Sequence, residues 1–256
     1  PASEIIVIDD GSSDNTLATL ASYKDKIKIL RHNTQKGVSA ARNTGIDAAQ
    51  HKWIALLDSD DEWTTEKLNE QVNYLKQHPY YKIIQSEEKW LRNNNYINQS
   101  KHHKKKAGTI FLECLKRCMI SPSSALIHKD LFETYGVFDE QLIACEDYDL
   151  WLRISRWSPV GLVPHCGHIR HAGHKNQLST SIELLDKYRL IALQKALNNE
   201  AHPAYRSAIQ AIAARKLEIL INGARKRGNT DAENDYKKQA EHFKHSELIN
   251  KENMLV

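Results

Sequence analysis

The chain has 256 residues, with 36 Lys+Arg against 32 Asp+Glu and a formal charge of +4 at neutral pH, which allows one large domain or one domain with an appendage. Hydrophobic residues make up 41%, charged residues 27%, and mean hydropathy is −0.60, the balance of a soluble globular protein with enough apolar material for a core. No apolar run approaches the roughly 18–20 residues of a bilayer span, and the opening PASEIIVIDD has neither region of a signal peptide, so the expected location is cytoplasmic.

The opening run EIIVID is β-branched and apolar and stops at Asp9-Asp10-Gly11, which predicts a strand buried on both faces. Ser12, Ser13 and Asp14 are helix-capping types, and Leu17, Leu20 and Ala21 then recur at helical spacing. Asp14 reads as a cap rather than a ligand. Lys26–Leu30 predicts a second strand, Val38 to Ile46 a helix, and Trp53–Leu57 a third strand ending in Asp58-Ser59-Asp60-Asp61. Such alternation predicts a parallel sheet with helices on its faces and ligand sites beyond the carboxyl ends of the strands, where both acidic clusters fall.

Thr64 is expected to cap a helix to His78 with Leu68, Val72 and Leu75 facing inward. Ile83-Ile84 begins a strand, Asn93-Asn94-Asn95 reads as a turn, and Lys101-His102-His103-Lys104-Lys105-Lys106 as a mobile loop. A helix over about 108–118, a strand at 124–128 and a short helix closed by Gly136 follow. Residues 146–156 place Leu150, Ile154 and Trp157 on one helical face, and 160–163 and 168–171 are short strands. Beyond about Ser179 the pattern is helical, with three amphipathic segments divided by Pro203 and Gly228-Asn229.

The four cysteines, Cys114, Cys118, Cys145 and Cys166, are too few and scattered for a disulfide framework and indicate a reducing compartment. A zinc site with His165 and His168 is disfavoured, because Cys114 lies inside a helical pattern. Residues 186–256 hold 13 Lys/Arg and 9 Asp/Glu, so the whole +4 belongs to this segment and residues 1–185 are neutral.

Asp10 is placed to accept from a nucleobase N–H or a ribose hydroxyl. Asp58 and Asp60 alternate in an extended segment and project the same way, so they either share a hard divalent ion, Mn²⁺ or Mg²⁺, or form a solvated acidic turn. Glu146-Asp147-Tyr148-Asp149 opens a helix whose dipole favours acids. Lys36 and Arg42 flank a helix N-terminus suited to phosphate oxygens, and His171 is a candidate metal or phosphate contact.

The order of the motifs resembles the family 2 glycosyltransferases, inverting enzymes of the GT-A fold. The matching pieces are IIVIDDGSSDNT at 5–16, NTQKGVSAARNTGI at 33–46, WIALLDSDDEWTTEKLNEQV at 53–72, ISPSSALIHKDLFETYGVFDE at 120–140, EDYDLWLRI at 146–154 and HAGHKNQLS at 171–179. The resemblance implies an α/β GT-A catalytic domain over 1–180, Rossmann-like with a mostly parallel sheet, and a helical region over 181–256. It implies donor contacts for Asp10, Lys36, Arg42 and Asp58, metal coordination by Asp60 and His171, a catalytic base in Asp147, and Glu146 and Trp151 on the acceptor side. It also implies a nucleoside-diphosphate-sugar donor, most simply a UDP-sugar, and a saccharide, lipid-linked or protein acceptor in cell-surface glycan or polysaccharide synthesis. Lack of a Gln-x-x-Arg-Trp motif and of membrane spans points to one sugar per encounter. The family normally begins with an extra strand ending in a Pro-x-Tyr-Asn-like motif, whereas this sequence opens at what resembles the second strand. The expectation is therefore a fragment, or a sheet lacking its central first strand.

The competing reading is a catalytically silent module that holds a nucleotide-sugar or glycan in the same cleft. Nucleic-acid binding is disfavoured by the interleaved acids of the tail. The basic residues after 185, notably Arg225-Lys226-Arg227, are either a solvated surface or a peripheral contact with an anionic inner-membrane face or a partner enzyme.

Overall fold

The computed structural model describes residues 2–92, 95–97, 103–171 and 185–246. The expected turn at Asn93-Asn94, the start of the basic run at Lys101-His102, residues 172–179 of the last motif, and Leu184 lie outside the described residues.

Strand β1 (Ile6–Asp9) pairs in parallel with β2 (Lys28–Arg31), and α1 (Thr16–Ala21) connects them. Helix α2 (Val38–Ala48) packs on β1. Full burial of β1 on both faces is not found: Ile6, Val7 and Ile8 are half-buried, because β2 is the only ladder partner of β1 among the described residues. The next strand, β3 (Trp53–Ala55), belongs to a different sheet.

That second sheet runs β3, β7 (Ala125–His128), β5 (Ile83–Arg92), β8 (Val160–His171), β4 (Asp61–Trp63), with β6 (Asn95–Ile97) folding back on β5. The α/β architecture agrees with expectation, but the sheet is mixed rather than mostly parallel. The pair β5–β8 is parallel, whereas β3–β7, β7–β5, β8–β4 and β5–β6 are antiparallel. Antiparallel β4 was hidden in the acidic run, whose Asp61, Glu62 and Trp63 find ladder partners in Arg170, Ile169 and His168. Those partners exist because the two short late strands are one strand, β8, which stays on β5 through register shifts around Glu87.

Helix α3 (Lys67–Gln77) is rotated from the expected face. Lys67 and Gln71 are its buried residues, and Val72 is 45% exposed. Lys67 Nζ donates to Gln71 Oε1 (2.8 Å) and lies 4.2 Å from the centre of the Trp63 ring, while Gln71 Nε2 donates to the Ser124 carbonyl. These polar partners hold the helix with Leu68, Val72 and Leu75 lining the large cleft. Thr64 does not cap the helix; its hydroxyl donates to the Cys166 carbonyl (3.1 Å).

Helices α4 (Phe111–Lys116), α5 (Asp130–Tyr135) and α6 (Glu146–Ser155) follow, and Gly136 ends α5 at φ +78°, a backbone region open to glycine. Trp157 leaves the expected apolar face: it is 63% exposed beneath the Arg156 guanidinium. The basic run is anchored rather than mobile at Lys105, which is buried with Nζ 2.8 Å from Glu88 Oε2 and bonded to Gln85 and Ser124.

Helices α7 (Asp186–Asn198), α8 (Pro203–Lys226) and α9 (Thr230–His245) close the chain. Pro203 opens α8, and the Asn229 side chain caps α9 by accepting from Ala232 N–H. Leu193, Ile209 and Leu217 share one apolar core with Phe111, Trp151 and Ile154. No helix among the described residues is long and apolar enough to cross a membrane.

Candidate active site

A cleft of about 2940 Å³ opens between β1 and β3 and is lined by Asp10, Arg42, Asp58, Asp60, Cys118 and Asp147, among others. Asp10 follows directly on β1, and Asp58 to Asp60 lie between β3 and β4. The turn after β1 requires Gly11 at φ +76°, where a Cβ would approach Gln35 N to 2.9 Å.

Asp10 holds the neighbouring loop. Its Oδ1 lies 2.6 Å from His32 Nδ1 and accepts Lys36 N–H (2.9 Å), and its Oδ2 accepts Gly37 N–H (2.8 Å). Burial works against the ionised form, but these bonds outweigh it and lower the pKa. A carboxylate offers about four acceptor positions, so a ligand N–H meets a carboxylate already pinned by three donors. His32, in turn 2.9 Å from Thr44 Oγ1, was not singled out from sequence, where it sits as an ordinary loop histidine. Lys36 contributes its backbone to Asp10, and the residue is exposed. Asp14 accepts the backbone N–H and the hydroxyl of Thr16 from one residue ahead of the cap position of α1, which Asn15 holds.

Arg42 joins the two main motifs. Its Nη2 is 2.6 Å from Asp58 Oδ1 and its Nη1 is 2.6 Å from Glu146 Oε1, and its guanidinium stands 5.0 Å from the Phe138 ring centre. Burial disfavours the charge, but Asp58 and Glu146 outweigh it and raise the pKa. In this chain Arg42 therefore braces acids, and a nucleotide contact would have to share it. Asp58 is further fixed by its N–H donating to Ser123 Oγ (3.1 Å), a partner with no sequence signal beyond its place before β7.

Asp60 is exposed at the cleft. Asp61, next to it, accepts from His171 N–H (3.3 Å), and burial together with repulsion from Asp60 and Asp58 raises its pKa to about 6. His171 Nε2 lies 3.5 Å from Glu62 Oε1, at the end of β8. Among the described residues no three His, Cys, Asp or Glu side chains gather as a metal cage. The donor set instead fits a hard ion carried in with phosphate, which needs only one or two protein carboxylates, and the crowding of acids around Asp61 favours a cation there.

Cys145 has left-handed backbone geometry (φ 61°, ψ 23°), alone among described non-glycine residues in its positive φ. This sharp entry to α6 places Glu146 against Arg42 and leaves Asp147 half-buried, with Oδ1 accepting Tyr148 N–H (2.6 Å) and Oδ2 3.2 Å from Cys118 Sγ. The acceptor-side expectation for Trp151 is corrected: its residue exposure is 0%, it packs edge-on to Phe138 in the core and it does not line the cleft. Its neighbours Leu150, Leu152 and Ile154 on α6 are buried with it.

The sequence profile described as "Glycosyl transferase family 2" matches residues 1–136. The chain is 30% identical over 179 residues to the Escherichia coli UDP-Glc:alpha-D-GlcNAc-diphosphoundecaprenol beta-1,3-glucosyltransferase WfgD, covering 70% of this chain and 68% of that protein. It is 32% identical over 160 residues to a glycosyltransferase of Rickettsia felis, covering 62% of this chain but 26% of the relative, so it spans about a quarter of that protein's length. Among solved structures, S. aureus TarS 1–349 in complex with UDP superposes with a TM-score of 0.58 at 15% identity, covering 96% of this chain and 83% of that one. That likeness carries the GT-A fold, and the profile match together with the WfgD relationship carries the family: the chain belongs to glycosyl transferase family 2.

Proposed function

We propose that the chain is the donor-binding and catalytic part of a metal-dependent, inverting, non-processive glycosyltransferase that moves a sugar from a UDP-sugar to a hydroxyl of a lipid-linked saccharide in cell-surface polysaccharide synthesis. The observation that carries this reading is the Arg42 bridge, which draws Asp58 of the Asp58-Ser59-Asp60 (DxD) run and Glu146 of the Glu146-Asp147 (ED) pair into one cleft. The donor and acceptor classes follow the names of the Escherichia coli relatives WfgD and WfaP, both UDP-Glc:alpha-D-GlcNAc-diphosphoundecaprenol glucosyltransferases.

In this reading Asp147 takes the proton of the acceptor hydroxyl as its oxygen attacks the anomeric carbon. The bond from that carbon to the diphosphate breaks on the opposite face, and the nucleoside diphosphate leaves with the electron pair, inverting the centre. Asp60, with His171 at the end of β8, would hold a Mn²⁺ or Mg²⁺ ion. When bound, that ion offsets the charge developing on the diphosphate. Asp10 and the loop at Lys36 face the nucleoside end, and Arg42 keeps Asp58 and Glu146 in place. The exposed Arg225, Lys226 and Arg227 at the end of α8 would meet an anionic membrane surface bearing the lipid-linked acceptor.

The separation of β1 from β3 favours a second reading, a silent module that holds nucleotide-sugar or glycan. In either case an added strand seated between β1 and β3 would join the two sheets and cover Leu68, Val72 and Leu75. Calorimetric titration with UDP tests the proposal: Mn²⁺-dependent binding, lost in Asp60→Ala, supports it. Binding indifferent to both Mn²⁺ and Asp60 contradicts the metal-dependent site.

A further inference from the structure

Both oxygens of the Asp147 carboxylate are engaged from within the chain. Tyr148 N–H fixes Oδ1, and the thiol of Cys118 donates to Oδ2 across 3.2 Å. Cys118 lies just beyond α4, and it lines the cleft together with Met119, Ile120 and Ser121. The same sulfur is 3.3 Å from the Ile120 carbonyl oxygen. A thiol has one hydrogen, so two acceptors compete for one donor.

We propose that Cys118 is a positioning residue for the base: its S–H donates to Asp147 while that carboxylate is ionised and turns to the Ile120 carbonyl once Asp147 has taken the acceptor's proton. The inference rests on Asp147 being the base. A charged acceptor outcompetes a neutral carbonyl for a donor, and neutralising it removes the advantage. The turn needs only rotation about the Cβ–Sγ bond, and no bond to sulfur forms or breaks. Burial and the adjacent Asp147 charge raise the Cys118 pKa well above the ordinary thiol value, so the hydrogen stays on sulfur. With two of roughly four acceptor positions filled, the remaining ones are directed rather than free to rotate, which suits a group that must meet a hydroxyl in one orientation. Arg42, Glu146 and Cys145 also interact electrostatically with Asp147. All of them remain in a Cys118 variant.

A hydrogen bond to the ionised form lowers a carboxyl pKa, so its loss moves the acid limb of the kcat/KM profile upward. In the full chain, Cys118→Ala is expected to shift that limb by about half to one pH unit and to lower kcat roughly threefold to tenfold with donor KM unchanged. Cys118→Ser, which keeps a donor in nearly the same volume, restores both, and it preserves the test if the alanine variant misfolds. The contact has its own readout in the infrared S–H stretching band, assigned by its disappearance in Cys118→Ser. It is expected at lower wavenumber in the wild type than in Asp147→Asn. An unmoved acid limb in Cys118→Ala with Asp147→Asn inactive overturns the positioning role alone. A band that Asp147→Asn leaves in place overturns the contact, and full transfer by Asp147→Asn overturns the base reading on which the role depends.

Discussion

Arg42 and Glu146, 104 residues apart in sequence, meet through a 2.6 Å contact between Nη1 and Oε1. Side-chain exposure is 11% for Arg42 and 9% for Glu146, so neither charge has water to fall back on. Removing Arg42 leaves Glu146 buried and uncompensated, at a cost of about 3–5 kcal/mol, whereas removing Glu146 still leaves Arg42 paired with Asp58. Arg42→Met is expected to lower urea-unfolding stability by that order. The double variant with Glu146→Gln should lose less than the sum of the single losses, because the two sites interact directly. Additive losses would mean that the bridge has no energetic role.

Trp151 behaves as a core residue in this structure, whatever its place beside the ED pair suggests. Its indole N–H has no acceptor, so Trp151→Phe leaves no polar partner unpaired, and its cost is that of the small cavity left by the lost ring atoms, expected well below the alanine value. Trp151→Ala should cost roughly 3–5 kcal/mol through the cavity it leaves. Unchanged acceptor KM in the phenylalanine variant would agree with its absence from the cleft. A large rise in acceptor KM without loss of stability would restore the acceptor-side role.

A buried polar cluster beside Asp61 makes stability depend on pH. His168 is fully buried near Glu88, Asp61, Lys105, Lys67 and Arg170, and burial, reinforced by the lysines and Arg170, lowers its pKa to about 4 against the pull of Glu88. The unfolded chain therefore binds a proton that the folded histidine refuses, so His168 makes stability fall as pH drops from about 6.5 to about 4, opposed below about 6 by Asp61, whose raised pKa lets the folded chain hold a proton. Lys67, depressed to about 7 by burial and by Lys105, acts at the other end: between about 7 and 10.5 the unfolded state holds the extra proton, so stability rises with pH. Replacing Lys67 by Met should flatten the alkaline rise, and replacing His168 by Leu should flatten the acid loss. Urea midpoints measured from pH 4 to 10 check both signs.

The sequence made legible what periodicity and strand ends encode. The strands near Ile6 and Trp53, α2, α6, the three C-terminal helices, and the placement of Asp10 and Asp58 beyond strand ends follow from short local patterns, whereas Asp147 read locally only as an acid at a helix start. What it concealed are long-range polar partnerships. Lys67 and Gln71 face inward because Trp63 and Ser124 receive them, which no helical wheel shows, and β4 exists because β8 extends to Arg170. Lys105 looked like part of a solvated run because its partner Glu88 lies on another element. Arg42 stood out as a cation beside a helix N-terminus, but its carboxylate partners Asp58 and Glu146 did not.

Asp10 offers a test of loop anchoring. Asp10→Ala frees the backbone N–H groups of Lys36 and Gly37 and the buried His32 ring, and is expected to lower stability by about 1–3 kcal/mol while weakening UDP binding. Weakened binding with unchanged stability would assign Asp10 to the nucleotide alone.

The most direct measurement of the central proposal is transfer from UDP-α-glucose to a GlcNAc-diphosphate-lipid acceptor in the presence of Mn²⁺, with the product's anomeric configuration read by proton NMR. A β-linked disaccharide formed by the wild type and lost in Asp147→Asn is the predicted result. An α-linked product, or transfer that survives Asp147→Asn, would contradict it.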